Sequence, residues 1–123
     1  MTSPKVIVID DDTWIAEQYM RVLTKDGFET NHAPNAIEGI ALIDEWRPDA
    51  IILDMFMPGP NGMVLLHELA SHDDLAHIPL IMSTNSASDI RAHDMARYGV
   101  REILDKSTMH PEDISRAVRR ALQ

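Results

Sequence analysis

Three short runs of apolar residues stand out along the chain, at 6–9 (Val-Ile-Val-Ile), 50–53 (Ala-Ile-Ile-Leu) and 79–83 (Pro-Leu-Ile-Met-Ser). None is long enough to cross a bilayer and each is bounded by turn residues, so each reads as a strand buried on both faces. Residues 100–104 supply a further strand, and 28–32 a weaker one whose assignment rests on its place between two helical patterns. Between the strands the apolar positions recur at helical spacing. Ile15, Val22 and Leu23 form the inward stripe of a first helix, capped by Thr13, carrying Trp14 and Glu17 in its first turn and ended by Asp26-Gly27. Ile40 and Ile43 face inward from a second helix over 36–46, capped by Asn35 and stopped by Arg47-Pro48-Asp49. Gly39 inside it costs roughly 1 kcal/mol against alanine, which close packing on the sheet would offset.

A third helix over 63–71 presents Val64 or Leu65, with Leu66 and Leu69. A polar fourth helix starts at Ser86-Ala-Ser-Asp, is closed by Gly99 and has the thinnest apolar stripe. The last opens at Pro111-Glu-Asp, with acids at its positive end and Arg116, Arg119 and Arg120 at its negative end, an arrangement that suits the helix dipole or forms a docking face. Strand and helix alternate five times, which predicts an α/β domain with a parallel sheet and helices on both faces. No repeat, low-complexity tract or linker interrupts this order, so residues 1–123 read as one domain.

Composition and charge exclude several classes. Apolar residues make up 45% of the 123, enough for a folded globule with one core. The absence of cysteine excludes disulfides and thiolate metal sites and agrees with a reducing, cytoplasmic setting. The first residues lack a signal-peptide pattern, and no span for a membrane follows. Twenty acidic against eleven basic side chains give a net charge of -9, which repels nucleic acid and anionic lipid at long range. No direct nucleic-acid contact is expected.

The chemistry gathers where the strands end. Asp10, Asp11, Asp54, Thr84 and Lys106 each follow a predicted strand, so a parallel sheet brings them to one edge, the edge at which such sheets bind ligands. Behind Asp54, the loop Met-Phe-Met-Pro-Gly-Pro-Asn-Gly, ending at Gly62, forbids both continued strand and immediate helix. Carboxylates so close repel one another and call for a cation. Hard oxygen ligands without histidine or cysteine favour Mg²⁺, or calcium or manganese, over zinc. Lys106 and Thr84 add a positive charge and a hydroxyl donor, enough with the cation to hold the oxygens of a phosphoryl group for in-line transfer to Asp54 and an aspartyl phosphate. A resting salt bridge between Lys106 and Asp54 is the plainer reading, and the two are compatible.

This ordered set resembles the receiver domains of two-component response regulators over essentially the whole chain. The resemblance implies a flavodoxin-like (βα)5 doubly wound sandwich with strand order 2-1-3-4-5, and phosphorylation of Asp54 by a sensor histidine kinase or phosphotransfer protein. It also implies Mg²⁺ held by Asp11, Asp54 and the main-chain carbonyl of Phe56, Asp10 acting mostly through water, and Thr84 and Lys106 on the phosphoryl group. Such a domain promotes only its own phosphorylation and dephosphorylation and switches a protein-interaction face around the fourth and fifth helices, which a partner or a second copy would meet. Two alternatives of other classes are a receiver-like module that binds partners without phosphate, and a Mg²⁺-dependent aspartyl-nucleophile phosphohydrolase. The latter's Asp-x-Asp pair is broken here by Phe56.

Three positions depart from the family's pattern. Ser107 follows Lys106 where proline is usual, so a trans peptide, a shifted loop and a changed aim for Lys106 are expected. Ile103 stands where Tyr or Phe commonly swings inward, and Asn85 where Ala or Gly follows the threonine. Phe56 either covers an acyl phosphate or packs in the core. Met55, Met57 and Met63 fill gaps or form a partner surface. Trp14, beside the acidic pair, packs and reports metal by fluorescence at most. His32, His67, His72, His77, His93 and His110 lack ligand spacing and read as surface or helix-end residues.

Overall fold

The computed structural model describes residues 3–59, 61–85 and 87–123. Pro60 of the loop behind Asp54, and the Ser86 expected to open the fourth helix, lie outside the described residues. Strands β1 (Lys5–Ile9), β2 (Glu29–Ala33), β3 (Ala50–Leu53), β4 (Leu80–Thr84) and β5 (Val100–Asp105) form one parallel sheet in the order β2-β1-β3-β4-β5. Helices α1 (Thr13–Lys25), α2 (Ala36–Trp46), α3 (Gly62–Ala70), α4 (Ala92–Ala96) and α5 (Pro111–Ala121) connect or follow them.

The apolar runs are unbroken because both faces of the sheet are covered. Successive side chains on a strand point to opposite faces. Ile7, Ile9, Ile51, Leu53, Leu80 and Met82 therefore pack on one side with α2 and α3, while Val6, Val8, Ala50, Ile52 and Ile81 pack on the other with α1 and α5.

Several local expectations change. Asp12, not Thr13, caps α1: its carboxylate accepts the Ile15 N–H at 3.1 Å. The helix buries Ala16, Tyr19 and Leu23, and Ile15 and Val22 only partly. In α3, Leu65 is the inward residue and Val64 is 48% exposed. The fourth helix shrinks to five residues, none of them buried, after a single 3-10 turn at Ala87–Asp89, as its thin apolar stripe allows. At the end of α5, Arg119 pairs with Asp26 at 3.1 Å and Arg120 with Glu102 at 2.7 Å, so two of the three arginines tie the helix to its neighbours.

Two glycines lie at close approaches. A Cβ on Gly39 would lie 2.8 Å from Ile9 Cδ1, so α2 lies directly on β1, as the cost of that glycine implied. A Cβ on Gly62 would lie 2.8 Å from the Met55 Cα, and the Gly62 N–H donates to the Met55 carbonyl at 2.9 Å. The start of α3 thus closes onto the backbone one residue past Asp54. Gly62→Ala is expected to destabilise the chain by about 1–3 kcal/mol, read as a lower urea midpoint, because the atom in the way is backbone and cannot rotate aside.

Candidate functional site

Strand register brings the predicted residues together. Ile9 pairs with Leu53, and the Asp54 N–H donates to the Ile9 carbonyl at 2.9 Å, so Asp10 and Asp54 leave neighbouring strands side by side. Thr84 pairs with Asp105 across β4 and β5, and the Lys106 N–H donates to the Thr84 carbonyl at 3.0 Å. The strand order reverses between β1 and β3, and the crevice at such a switch point is the binding position of an open α/β sheet.

Asp10, Asp54 and Thr84 are buried and Asp11 is exposed. Lys106, its side chain 6% exposed, donates from Nζ to Asp10 Oδ2 at 2.6 Å, and Nζ lies 3.3 Å from Asp54 Oδ2. The other oxygen of each carboxylate is held by backbone: Asp10 Oδ1 accepts the Asp12 N–H at 2.9 Å, and Asp54 Oδ1 accepts the Phe56 N–H at 3.2 Å. Each buried acid is therefore gripped at both ends. Lys106 bridges to Asp54 as the sequence suggested, but its nearer partner is Asp10.

Asp10, Asp11 and Asp54 each offer an oxygen within 4.8 Å of the others. Three carboxylates against one ammonium leave two negative charges in excess, and the donors are all hard oxygens. That set fits a magnesium-class cation. Burial pushes the Asp54 carboxyl above the usual carboxylate range, Lys106 pulls it down and Asp10 pushes it up again, with a net rise. Burial acts to lower Lys106, but the hydrogen bond and charge of Asp10, with the charge of Asp54, outweigh it and hold the ammonium above its ordinary value.

The departures resolve locally. The Lys106–Ser107 peptide is trans, as expected, there being no cis bond among the described residues. From this loop the Lys106 ammonium reaches both acids. Asp105 Oδ1 accepts from the Ser107 N–H at 2.9 Å and its hydroxyl at 2.6 Å, and the Met109 N–H donates to the Asp105 carbonyl at 2.9 Å. This turn delivers Lys106 to the acids without proline, and the Ser107 hydroxyl, then its N–H, holds the Asp105 carboxyl below its usual range. Ile103 packs against the α2–α3 core, and Asn85 is exposed.

Phe56 is 51% exposed, which removes its core reading. It lines a cleft of about 320 Å³ with Asn61, Met63, Ile90 and Met95. Met55 and Met57 are buried, so they do not form a partner surface. Trp14, 68% exposed, borders a second cleft of about 240 Å³ floored by Tyr19, Lys106 and Met109.

Two features escaped the sequence. The Tyr19 hydroxyl lies 2.6 Å from Ser83 Oγ, both buried, directly before Thr84; a serine within an apolar run was the available signal. His32, read as a bland surface residue, places Nε2 2.8 Å from the main-chain carbonyl of Asp10. His110, in contrast, does sit at a helix end, as the N-cap of α5.

A pH prediction follows from the direction of the Asp54 shift. The folded chain holds that proton more tightly than the unfolded chain, so the associated stability is full below the ordinary carboxylate value of about 3.9 and is lost as pH rises through the raised folded value. Lys106 acts elsewhere, its contribution being full below about 10.4 and lost only as pH climbs through its own raised value. Urea midpoints measured from about pH 4 to about pH 7 are expected to show Asp54→Asn gaining on the wild type as pH rises; a constant or reversed difference contradicts this.

Comparison with known proteins identifies the family and the fold. The sequence pattern described as response regulator receiver domain matches residues 6–119. The chain is 34% identical over 89 residues to the transcriptional regulatory protein PrrA of Mycobacterium tuberculosis, covering 72% of this chain and 38% of that protein. It is 32% identical over 85 residues to response regulator MprA of Mycobacterium sp. (strain KMS), covering 69% and 37%. The chain thus spans little more than a third of these relatives. Its fold is similar to the chemotaxis response regulator CheY4 of Vibrio cholerae, with TM-score 0.87, 26% identity and 98% and 100% of the two chains covered. A receiver domain protein from Clostridium thermocellum gives TM-score 0.83 at 30% identity over 97% and 94%. Neither a phosphate-independent module nor a phosphohydrolase is favoured by these matches. With five parallel strands in the order 2-1-3-4-5 and the family pattern running from the first strand into the last helix, the chain belongs to the receiver domains of two-component response regulators.

Proposed function

We propose that this single domain accepts a phosphoryl group on Asp54 from the phosphohistidine of a cytoplasmic sensor histidine kinase or phosphotransfer protein. The observation that carries the reading is the buried Asp54 carboxylate, 3.3 Å from Lys106 and within 4.8 Å of the Asp10 and Asp11 oxygens. An Asp54 oxygen attacks phosphorus, the phosphorus–nitrogen bond of the donor breaks, and the freed imidazole takes a proton from solvent. Asp11, Asp54 and the Phe56 carbonyl would hold Mg²⁺, with Asp10 acting mostly through water. When bound, that cation neutralises charge on the phosphoryl oxygens. The Lys106 ammonium, already poised between two acids, turns to the arriving oxygens, and the Thr84 hydroxyl donates to a third.

The domain promotes only its own phosphorylation and dephosphorylation. The response appears on the face of α4 and α5, which meets a downstream protein or a second copy. What supports that face is α4 itself, whose five residues include none that is buried and which follows the strand ending at Thr84.

Incubation with Mg²⁺ and acetyl phosphate, followed by intact mass measurement, is expected to give a single hydroxylamine-labile phosphoryl adduct. The adduct disappears in Asp54→Asn and when Mg²⁺ is chelated; failure of the wild type to form it sinks the proposal. The exposed ring of Phe56 shields the acyl phosphate from water, so Phe56→Asn is expected to shorten the adduct's lifetime severalfold in a time course of phosphate release. An unchanged lifetime assigns the ring to the neighbouring cleft alone.

A further inference from the structure

We infer that His32 is a positioning residue for the acidic cluster, an inference that rests on the cation-binding reading above. His32 lies on β2 in register with Val8. Its Nε2 is 2.8 Å from the Asp10 carbonyl oxygen, and because a carbonyl only accepts, Nε2 carries the hydrogen. The contact falls where the sheet's own bonding ends. The Asp10 N–H donates to the Ala33 carbonyl at 3.1 Å, the next residue, Pro34, has no N–H, and Asn35 turns its side chain to the Glu38 N–H to cap α2. The imidazole provides a donor to a carbonyl just past the last rung between β1 and β2.

That carbonyl matters because of what shares its plane. The Asp10 C=O and the Asp11 N–H belong to one rigid peptide unit, so fixing the oxygen fixes the direction in which the chain enters Asp11. Asp10 and Asp54 are held through their own carboxylates by Lys106 and backbone N–H groups. Asp11 is exposed, and its placement near the other two follows from the backbone leading into it. His32 thus acts on the third carboxylate through the peptide, as groups behind a ligand commonly do.

The test is direct Mn²⁺ binding, read from the electron paramagnetic resonance of free Mn²⁺, on wild type, His32→Phe and His32→Gln. Phenylalanine keeps a ring without a donor, whereas glutamine restores an N–H at similar reach. His32→Phe is expected to weaken Mn²⁺ binding about tenfold, with His32→Gln close to wild type. Equal affinity in all three, or a glutamine variant as weak as the phenylalanine one, overturns the role of His32 and leaves the cation site standing. A wild type that binds no Mn²⁺ overturns both. If His32→Phe does not fold, as judged by thermal unfolding, His32→Leu poses the same question of bulk without a donor.

Discussion

A single buried ammonium between two buried carboxylates sets the terms for the rest of the molecule. Lys106, Asp10 and Asp54 are almost fully withdrawn from water, which is tolerable only because each charge has partners within hydrogen-bonding reach. That reach depends on the sheet. Lys106 hangs from β5 and is registered to β4 through Thr84, while Asp10 and Asp54 hang from β1 and β3. An order that parted β1 from β3, or β5 from β4, would pull these charges away from their partners. The balance remains negative, so the resting site is stable enough to fold yet short of positive charge, the state from which a cation and a phosphoryl group gain most.

The scaffold beneath is stiff where the chemistry needs it. Gly39 lets α2 lie on Ile9, and Gly62 lets α3 close on Met55, so the backbone on either side of the two acids has little room to shift. The Tyr19–Ser83 hydroxyl pair ties α1 to the end of β4 immediately before Thr84. In contrast α4 contributes no buried residue and packs chiefly along β5. Few buried contacts mark the parts of a protein that rearrange at low cost. A rigid pocket next to a lightly anchored helix is the mechanical arrangement a switch requires.

The family's usual devices are replaced here by local chemistry. Where proline is common after the lysine, Asp105 accepts two hydrogen bonds from Ser107 and shapes the turn. Where an aromatic residue is common on β5, Ile103 joins the core. The pocket is built regardless, because the β4–β5 register brings the chain to Lys106 and the Asp105–Ser107 turn then holds it toward the acids.

The sequence by itself determined the alternation of five strands and five helices, the two-sided burial of the sheet and the five residues at its carboxyl edge. Each of these depends on periodicity, or on which residue immediately follows a strand. Both are properties of neighbours along the chain. It also indicated, through the cost of Gly39, where a helix had to lie close. Only the tertiary structure decided that Asp10 is the nearer partner of Lys106, that Phe56 faces outward, that α4 is barely a helix, and that Tyr19 and His32 reach Ser83 and the Asp10 carbonyl. Those contacts join residues from 22 to 96 positions apart. Their side chains meet because of sheet register and helix placement, which no local pattern encodes.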